Sequence, residues 1–203
     1  MMSAMVVRSR RDEYSDATRR AVLDSATTLF ARDGYAATSL DDVGAEARVT
    51  KGAVYHHFAS KRDLFVAVSD ALDEETIAQI AAASAGATSA WEATVAGLDA
   101  FLDRCLDPTY SRLCFQEGPA VMGFADWWEH GERHVLGLMR AMMQALRDEG
   151  RVDSDDLDGL TQLLYGAVTA AALTLARAKH KKAERTRLRT SLLRLLEGLA
   201  PPG

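Results

Sequence analysis

The sequence predicts an all-α protein in two parts, and three observations lead there. No segment keeps a period-2 alternation with β-branched enrichment, so no sheet is expected. Apolar residues recur instead at helical spacing, as at Val22, Ala26, Leu29 and Phe30. Only four prolines interrupt 203 residues, and two of them, Pro201 and Pro202, lie at the end. With 48% hydrophobic and 26% charged residues, the composition is that of a globular chain long enough for one or two cores.

The first helix is expected from about Thr18 to Arg32, ended at Asp33-Gly34-Tyr35, where Gly34 supplies a left-handed C-cap. Ser39 opens a short second helix, and Asp42 three residues on completes a capping box. Leu40, Val43, Gly44 and Ala47 form its inner face. Arg48-Val49 makes a turn, and Thr50 caps a third helix from Lys51 to about Phe58. A fourth helix starts at Ser60 or Lys61 and runs through Leu64, Phe65, Val68 and Leu72 into "DEETIAQIAAA". Ser84 to Ser89 reads as a connection. Trp91 to Leu106 is helical and stops near Pro108; Tyr110 to Gln116 is a short helix broken at Gly118-Pro119. Three longer helices follow, from Phe124 to about Arg147, Ser154 to Ala178, and Lys182 to Leu199.

The net charge of −5 hides a division. Residues 1–65 hold ten Lys/Arg against nine Asp/Glu, whereas residues 66–203 hold fourteen against twenty. The early basic residues cluster at Arg8, Arg10, Arg11, Arg19 and Arg20, then at Arg48, Lys51, Lys61 and Arg62, and an anionic partner responds to such a local field. The start "MMSAMVVRSRRDEY" lacks the apolar core of a secretory signal. No stretch approaches the roughly 18 uninterrupted apolar residues of a membrane span, the longest run being the alanine-rich Ala167 to Ala176. Cys105 and Cys114 are too few for a disulfide framework and read as reduced, buried thiols. A cytoplasmic protein without membrane attachment is expected.

Two short helices joined by a three- to four-residue turn, behind a longer first helix, make a helix-turn-helix. Its second helix lies in "VTKGAVYHHFASKRDLF", Val49 to Phe65. Val54 and Phe58 face inward with Val43 and Leu29. That leaves Lys51, Gly52, Ala53, Tyr55, His56 and one side of His57 outside. Small residues at Gly52 and Ala53 let the helix N-terminus, with its free N–H groups and positive end, approach a phosphate. Tyr55 and His56 suit phosphate oxygens or base edges, and Lys61 is placed for a contact to the second strand. Double-stranded DNA is the expected partner; the plainer alternative is a three-helix subdomain whose polar face is merely hydrated.

The run "LFARDGYAATSLDDVGAEARVTKGAVYHHFASKRDLF" resembles the TetR (tetracycline-repressor-like) regulators, with several ordered elements at matching spacing between about Arg19 and Leu72. Arg48 departs from the pattern where the family often places glycine, and a positive φ there would strain an arginine. The resemblance implies a homodimeric, all-helical repressor whose larger C-terminal domain binds a small effector and pairs with its twin. It also implies that Lys51, Gly52, Tyr55, His56 and Lys61 touch DNA, with Ser39 and Thr50 assisting at the two helix starts. Residues 1–65 would then be an N-terminal arm and DNA-binding domain, and residues 66–203 an effector-binding and dimerisation domain.

In the second part, the helix beginning "FADWWEHGERHVLGLMRAMMQAL" carries apolar residues on two faces, which makes it central. The expected pocket walls are Trp91, Phe101, Cys105, Tyr110, Phe115, Met122, Phe124, Trp127, His134, Leu138, Met142 and Tyr165. For any one of these residues plain core is the simpler reading. Such walls suit a hydrophobic or planar molecule oriented by His134 or Tyr165, with Arg104 or Arg112 as a candidate for an acidic group. His130 and His134 at i, i+4, with Glu129 and Glu132 beside them, invite a metal reading. The zincin order needs Glu directly after the first His, however, and no third ligand is identifiable. No metal, cofactor or catalytic residue is therefore assigned.

"DSDDLD" from Asp153 to Asp158 suits a helix N-terminus, and the basic Arg177 to Arg189 segment reads as a solvated loop. Leu188, Leu192, Leu195 and Leu199, facing Gly166, Ala167, Ala170 and Ala171 of the preceding helix, would let the last two helices of two chains form a four-helix interface. The reading that accounts for most of the chain is a ligand-responsive repressor on a palindromic operator. Its rivals are a TetR-like protein that binds DNA without an effector, and a small helical enzyme using His130, His134 and Glu132.

Overall fold

The structure, a computed structural model, describes residues 10–200, with side chains from Tyr14 onward. The side chains of Arg8, Arg10 and Arg11 in the first basic cluster lie outside that description, as do Pro201 and Pro202. All regular structure among the described residues is helical, and the chain divides into two compact units, Met1–Val68 and Ser69–Gly203.

The first unit is built from α1 (Arg10–Asp33), α2 (Leu40–Glu46), α3 (Lys51–His57) and the beginning of α4 (Lys61–Ser84). The first helix starts eight residues before the expected Thr18, because the polar run ahead of it contains no glycine or proline to stop it. Val22, Ala26, Phe30, Val43, Val54, Leu64, Phe65 and Val68 are fully buried and form the core. Phe30, Tyr35 and Phe65 meet at centroid distances of 5.3–5.7 Å. Gly34, at φ 90°, ends α1 as the sequence requires.

Both helix starts carry their expected caps. Ser39 Oγ accepts from the Asp42 N–H at 3.1 Å while Asp42 Oδ2 accepts from the Ser39 N–H at 3.0 Å, and Thr50 Oγ1 accepts from the Ala53 N–H at 3.2 Å. The end of α2 is a Schellman motif: the Val49 N–H donates to Gly44 O at 2.9 Å and the Arg48 N–H to Ala45 O at 3.1 Å. That motif needs a left-handed residue, and Arg48 takes it at φ 56°.

The second unit holds the rest of α4 with α5 (Ala90–Arg104), α6 (Pro108–Tyr110), a π-helical stretch Ser111–Glu117, α7 (Gly118–Met122), α8 (Phe124–Asp148), α9 (Leu157–Arg177) and α10 (Lys181–Glu197). Gly118-Pro119 does not break the chain as expected. The Gly118 N–H reaches back to Leu113 O in π fashion, and Pro119 falls in the first turn of α7, where a missing N–H costs nothing. By length and composition α9 could cross a membrane, although its longest uninterrupted apolar run is short. Here Leu164, Tyr165, Ala171, Ala172 and Leu175 bury one face of it in the unit.

Two close approaches fix the packing. A Cβ at Gly131 would overlap the Tyr165 hydroxyl, which donates to Trp128 O at 3.3 Å. On the other side, Arg185 and Arg189 of α10 hold Asp99 of α5 at 2.9 and 2.6 Å, and Arg185 also reaches Asp103 at 2.7 Å. Much of the basic segment expected as a solvated loop is thus the first half of α10, clamped to α5. Hydrogen bonding from Arg189 holds the Asp99 carboxyl below its usual range. The clamp therefore stabilises above the ordinary carboxylate pKa and is lost as pH falls through the lowered one.

Replacing Arg48 with glycine removes the left-handed strain, worth on the order of 1 kcal/mol. The Arg48→Gly variant is expected to unfold at a higher temperature than the parent; an unchanged or lower midpoint would contradict this account of the turn.

Candidate functional site

The polar face of the helix-turn-helix is set by the caps and the inner row. With Val54 and Phe58 buried, α3 turns Lys51, Gly52, Tyr55 and His56 to solvent, while Ala53 and His57 are partly covered. A side chain at Gly52 would meet only Thr50 Oγ1, at 3.8 Å, so an incoming surface is what a larger residue there would obstruct. Lys51 Nζ lies 2.8 Å from Asp41 Oδ1, and this bond raises its pKa. Both side chains are more than half exposed, so the pair is screened and easily exchanged for a phosphate. Partial burial and then His56 lower the pKa of His57, whose ring stands edge-to-face on the His56 ring at 5.2 Å.

Lys61 is engaged within the unit. Its ammonium donates to Tyr35 O at 2.8 Å and Thr38 O at 2.9 Å and lies 4.3 Å above the Tyr35 ring. Its donors tie the loop before α2 to the start of α4, so a phosphate contact would have to break them.

The second unit encloses a cavity of about 330 Å³. Of the expected walls, Phe101, Tyr110, Phe115, Trp127, Leu138, Met142 and Tyr165 line it. Tyr110, Phe115 and Trp127 form an edge-to-face series at 5.5 and 6.3 Å, with the Trp127 indole N–H anchored on Cys114 O at 2.8 Å. Burial raises the Tyr165 hydroxyl to about 12 and the Tyr110 hydroxyl well above its ordinary value.

Five expected walls lie elsewhere. Trp91 sits under the Arg151 guanidinium at 5.0 Å and packs on the α8–α9 core. Cys105 is buried off the cavity, its thiol pushed up by desolvation, and Cys114 lines the cavity in its place. Met122 is buried outside the wall, and Phe124 is 63% exposed beside Trp127 and Trp128. His134 does not line it either; Asp70 Oδ1 accepts from its Nε2 at 2.8 Å, and His130 takes the wall position one turn earlier. Arg104 is bound to Glu75 at 2.8 Å and Arg112 to Glu117 at 2.9 Å, and neither reaches the cavity.

The sequence reading missed an entire wall. Asp73, Thr76, Ile77 and Ile80 of α4 line the cavity, and so do Val168 and Thr169 of α9 and Leu192 and Leu196 of α10. The spacing of Asp73, Ile77 and Ile80 was the available signal. Asp73 forms the polar end, accepting from the Tyr110 hydroxyl at 3.0 Å with His130 Nε2 3.2 Å away. Glu132 does not join the histidines; it accepts from the Trp128 indole at 2.6 Å and from Gln162. Leu192 and Leu196 belong to the unit's own core, whereas Leu195 of the expected dimer stripe is 56% exposed and Leu188 and Leu199 are half-buried. On α9 the matching exposed residue is Leu163, at 74%.

A helix-turn-helix unit followed by a helical unit around an apolar cavity defines a DNA-binding regulator with a ligand domain. The comparisons agree. The family model "Bacterial regulatory proteins, tetR family" matches residues 22–68, and "Tetracyclin repressor-like, C-terminal domain" matches residues 91–199. A TetR-family transcriptional regulator from Pectobacterium atrosepticum, solved as a crystal structure, is 32% identical with a TM-score of 0.81, covering 96% of this chain and 99% of that one. The transposon Tn10 TetC protein of Escherichia coli is 28% identical over 162 residues, 78% of this chain and 80% of that protein. AcrR of Shigella flexneri is 41% identical over 63 residues, only 31% of this chain and 29% of its own length. The chain belongs to the TetR family of transcriptional regulators.

Proposed function

We propose that this regulator represses transcription as a homodimer on a palindromic operator and releases it when a small hydrophobic or planar molecule enters the cavity. One observation carries the reading. The cavity wall includes Asp73, Thr76, Ile77 and Ile80 of α4, and the first turns of the same helix, at Leu64, Phe65 and Val68, belong to the core of the helix-turn-helix unit. A ligand that favours one position of α4 therefore biases a helix on which the recognition helix is built. The cavity is of a size for a small ligand, with aromatic walls and a polar end at Asp73, Tyr110 and His130. Its action on DNA places it in the cytoplasm.

DNA contact falls to Ser39, Thr50, Lys51, Gly52, Ala53, Tyr55 and His56. Lys51→Ala is expected to lower the salt slope of operator binding by about 1.8, one phosphate contact worth about 0.9 from each protomer. Lys61→Ala should keep the parent slope and instead lower the unfolding temperature. The reverse pattern in a salt titration with parallel melting curves would restore Lys61 as the phosphate ligand.

Dimerisation is assigned to the outer face of α9 and α10, through Leu163 and Leu195. Two recognition helices then meet half-sites about 34–36 Å apart or a multiple of that. Glutamate at both positions should give folded monomers in light scattering that bind operator poorly. Leu192→Glu should instead unfold the second unit, since Leu192 is only 4% exposed. A monomeric parent at micromolar concentration would remove the dimer.

The effector is tested with an operator selected from a random duplex pool and a panel of planar aromatic compounds. A ligand should quench tryptophan emission and release labelled operator over one concentration range, and Trp127→Ala should weaken both. Quenching with DNA still bound would leave a constitutive DNA binder, and failure to enrich any duplex would remove the DNA reading.

A further inference from the structure

We propose that Asp70, His130 and His134 form a binding site for a first-row divalent transition-metal ion, zinc being the best match, with Asp73 orienting His130 from behind. The two carboxylates are one turn apart on α4 and the two imidazoles one turn apart on α8. Asp70 Oδ1 lies 2.8 Å from His134 Nε2 and 3.6 Å from His130 Nδ1, and the three ligand atoms lie within 4.8 Å of one another. A tetrahedral ion with bonds of about 2.1 Å holds its ligand atoms roughly 3.4 Å apart, inside that range.

The orphaned nitrogen of His130 is a separate indication. The side chain is 4% exposed, and its Nε2 stands 3.2 Å from Asp73 Oδ2. Asp73 also accepts from the Tyr110 hydroxyl, so its carboxylate is the acceptor and the imidazole proton belongs on Nε2. Nδ1 is then a lone pair, buried and without a hydrogen-bond partner among the protein atoms, and it faces the Asp70 carboxylate. Two acceptors turned on each other, the imidazole one buried, are unfavourable until a positive charge lies between them. A cation answers both. A carboxylate on the far nitrogen is also how ligating histidines are usually oriented.

The donor set selects the ion. Two imidazoles and one carboxylate suit zinc and its neighbours, whereas calcium and magnesium require oxygen ligands. Asp70 and His134 are 41% and 22% exposed, which lets an ion enter and leaves water for the remaining position. Sequence spacing alone supplied His130 and His134 but no third ligand; Asp70 is sixty residues away and arrives only when α4 packs on α8.

The test uses the tag-free full-length chain, stripped with a chelator and titrated with cobalt(II) and then zinc(II). One cobalt ion per chain should bind with visible d–d absorption, zinc should displace it, and zinc should raise the unfolding temperature. Asp70→Asn and His134→Gln, both at partly exposed positions, should each weaken binding by about tenfold or more while keeping the parent circular dichroism. Asp73→Asn should weaken it by about 10–100-fold. His180→Gln, on an exposed histidine elsewhere, should leave affinity unchanged. No cobalt spectrum, or binding indifferent to Asp70→Asn and His134→Gln, would overturn the site.

Discussion

A single helix has to satisfy two cores. Leu64, Phe65 and Val68 of α4 are fully buried in the first unit, and Leu72 and Thr76 are buried beyond it, with Ile77 and Ile80 on the cavity wall. The row Leu64, Val68, Leu72, Thr76 and Ile80 keeps strict i, i+4 spacing across the boundary at Val68–Ser69. No glycine or proline lies within α4, so no kink is built in, and its 24 residues make a rod of about 36 Å. At its far end a Cβ on Gly97 of α5 would come within 3.2 Å of Ile80 Cγ2, so α5 already lies close against it.

The cavity beside this rod is apolar except at one end. Placing a carboxylate there is costly unless it is bonded. Asp73 is only 14% exposed and meets the Tyr110 hydroxyl and His130, which joins α4 to α6 and to α8. Arg104, bound to Glu75 and lying 5.0 Å over the Tyr110 ring, supports the same corner from α5. These bonds fix the cavity's polar end, whereas its aromatic walls offer only shape. The same few side chains therefore tie α4 to the cavity's polar end.

What was legible in the sequence was local. Ser39 with Asp42, Thr50, Gly34 and the inner row of Val43, Val54 and Phe58 act over three to fifteen residues, so the helix-turn-helix could be read with its strain at Arg48. Lys61 could not, because its acceptors at Tyr35 and Thr38 lie 26 and 23 residues away. The cavity was half legible. Aromatic and methionine residues on central helices mark a core, but residue type does not say which side of a helix faces a void. Phe124 and Trp127, three apart on one helix, ended on solvent and on the cavity. The wall from α4 was not among the expected residues, although Ile77 and Ile80 carried the spacing of a buried face.

Lys61 binds the start of α4 into the first unit. Within the first unit its ammonium holds the carbonyls that precede α2, and the ring cluster of Phe30, Tyr35 and Phe65 holds α1 and the following loop on the same turn of α4. Val54 of α3 and Val43 of α2, both fully buried, complete that core, and Gly44 lets the two helices cross closely, with Val54 Cγ2 3.4 Å from where a Cβ would be. A close-packed core of this kind resists internal rearrangement. Displacing the first turns of α4 would therefore carry α2 and α3 along as one body instead of unlatching the recognition helix.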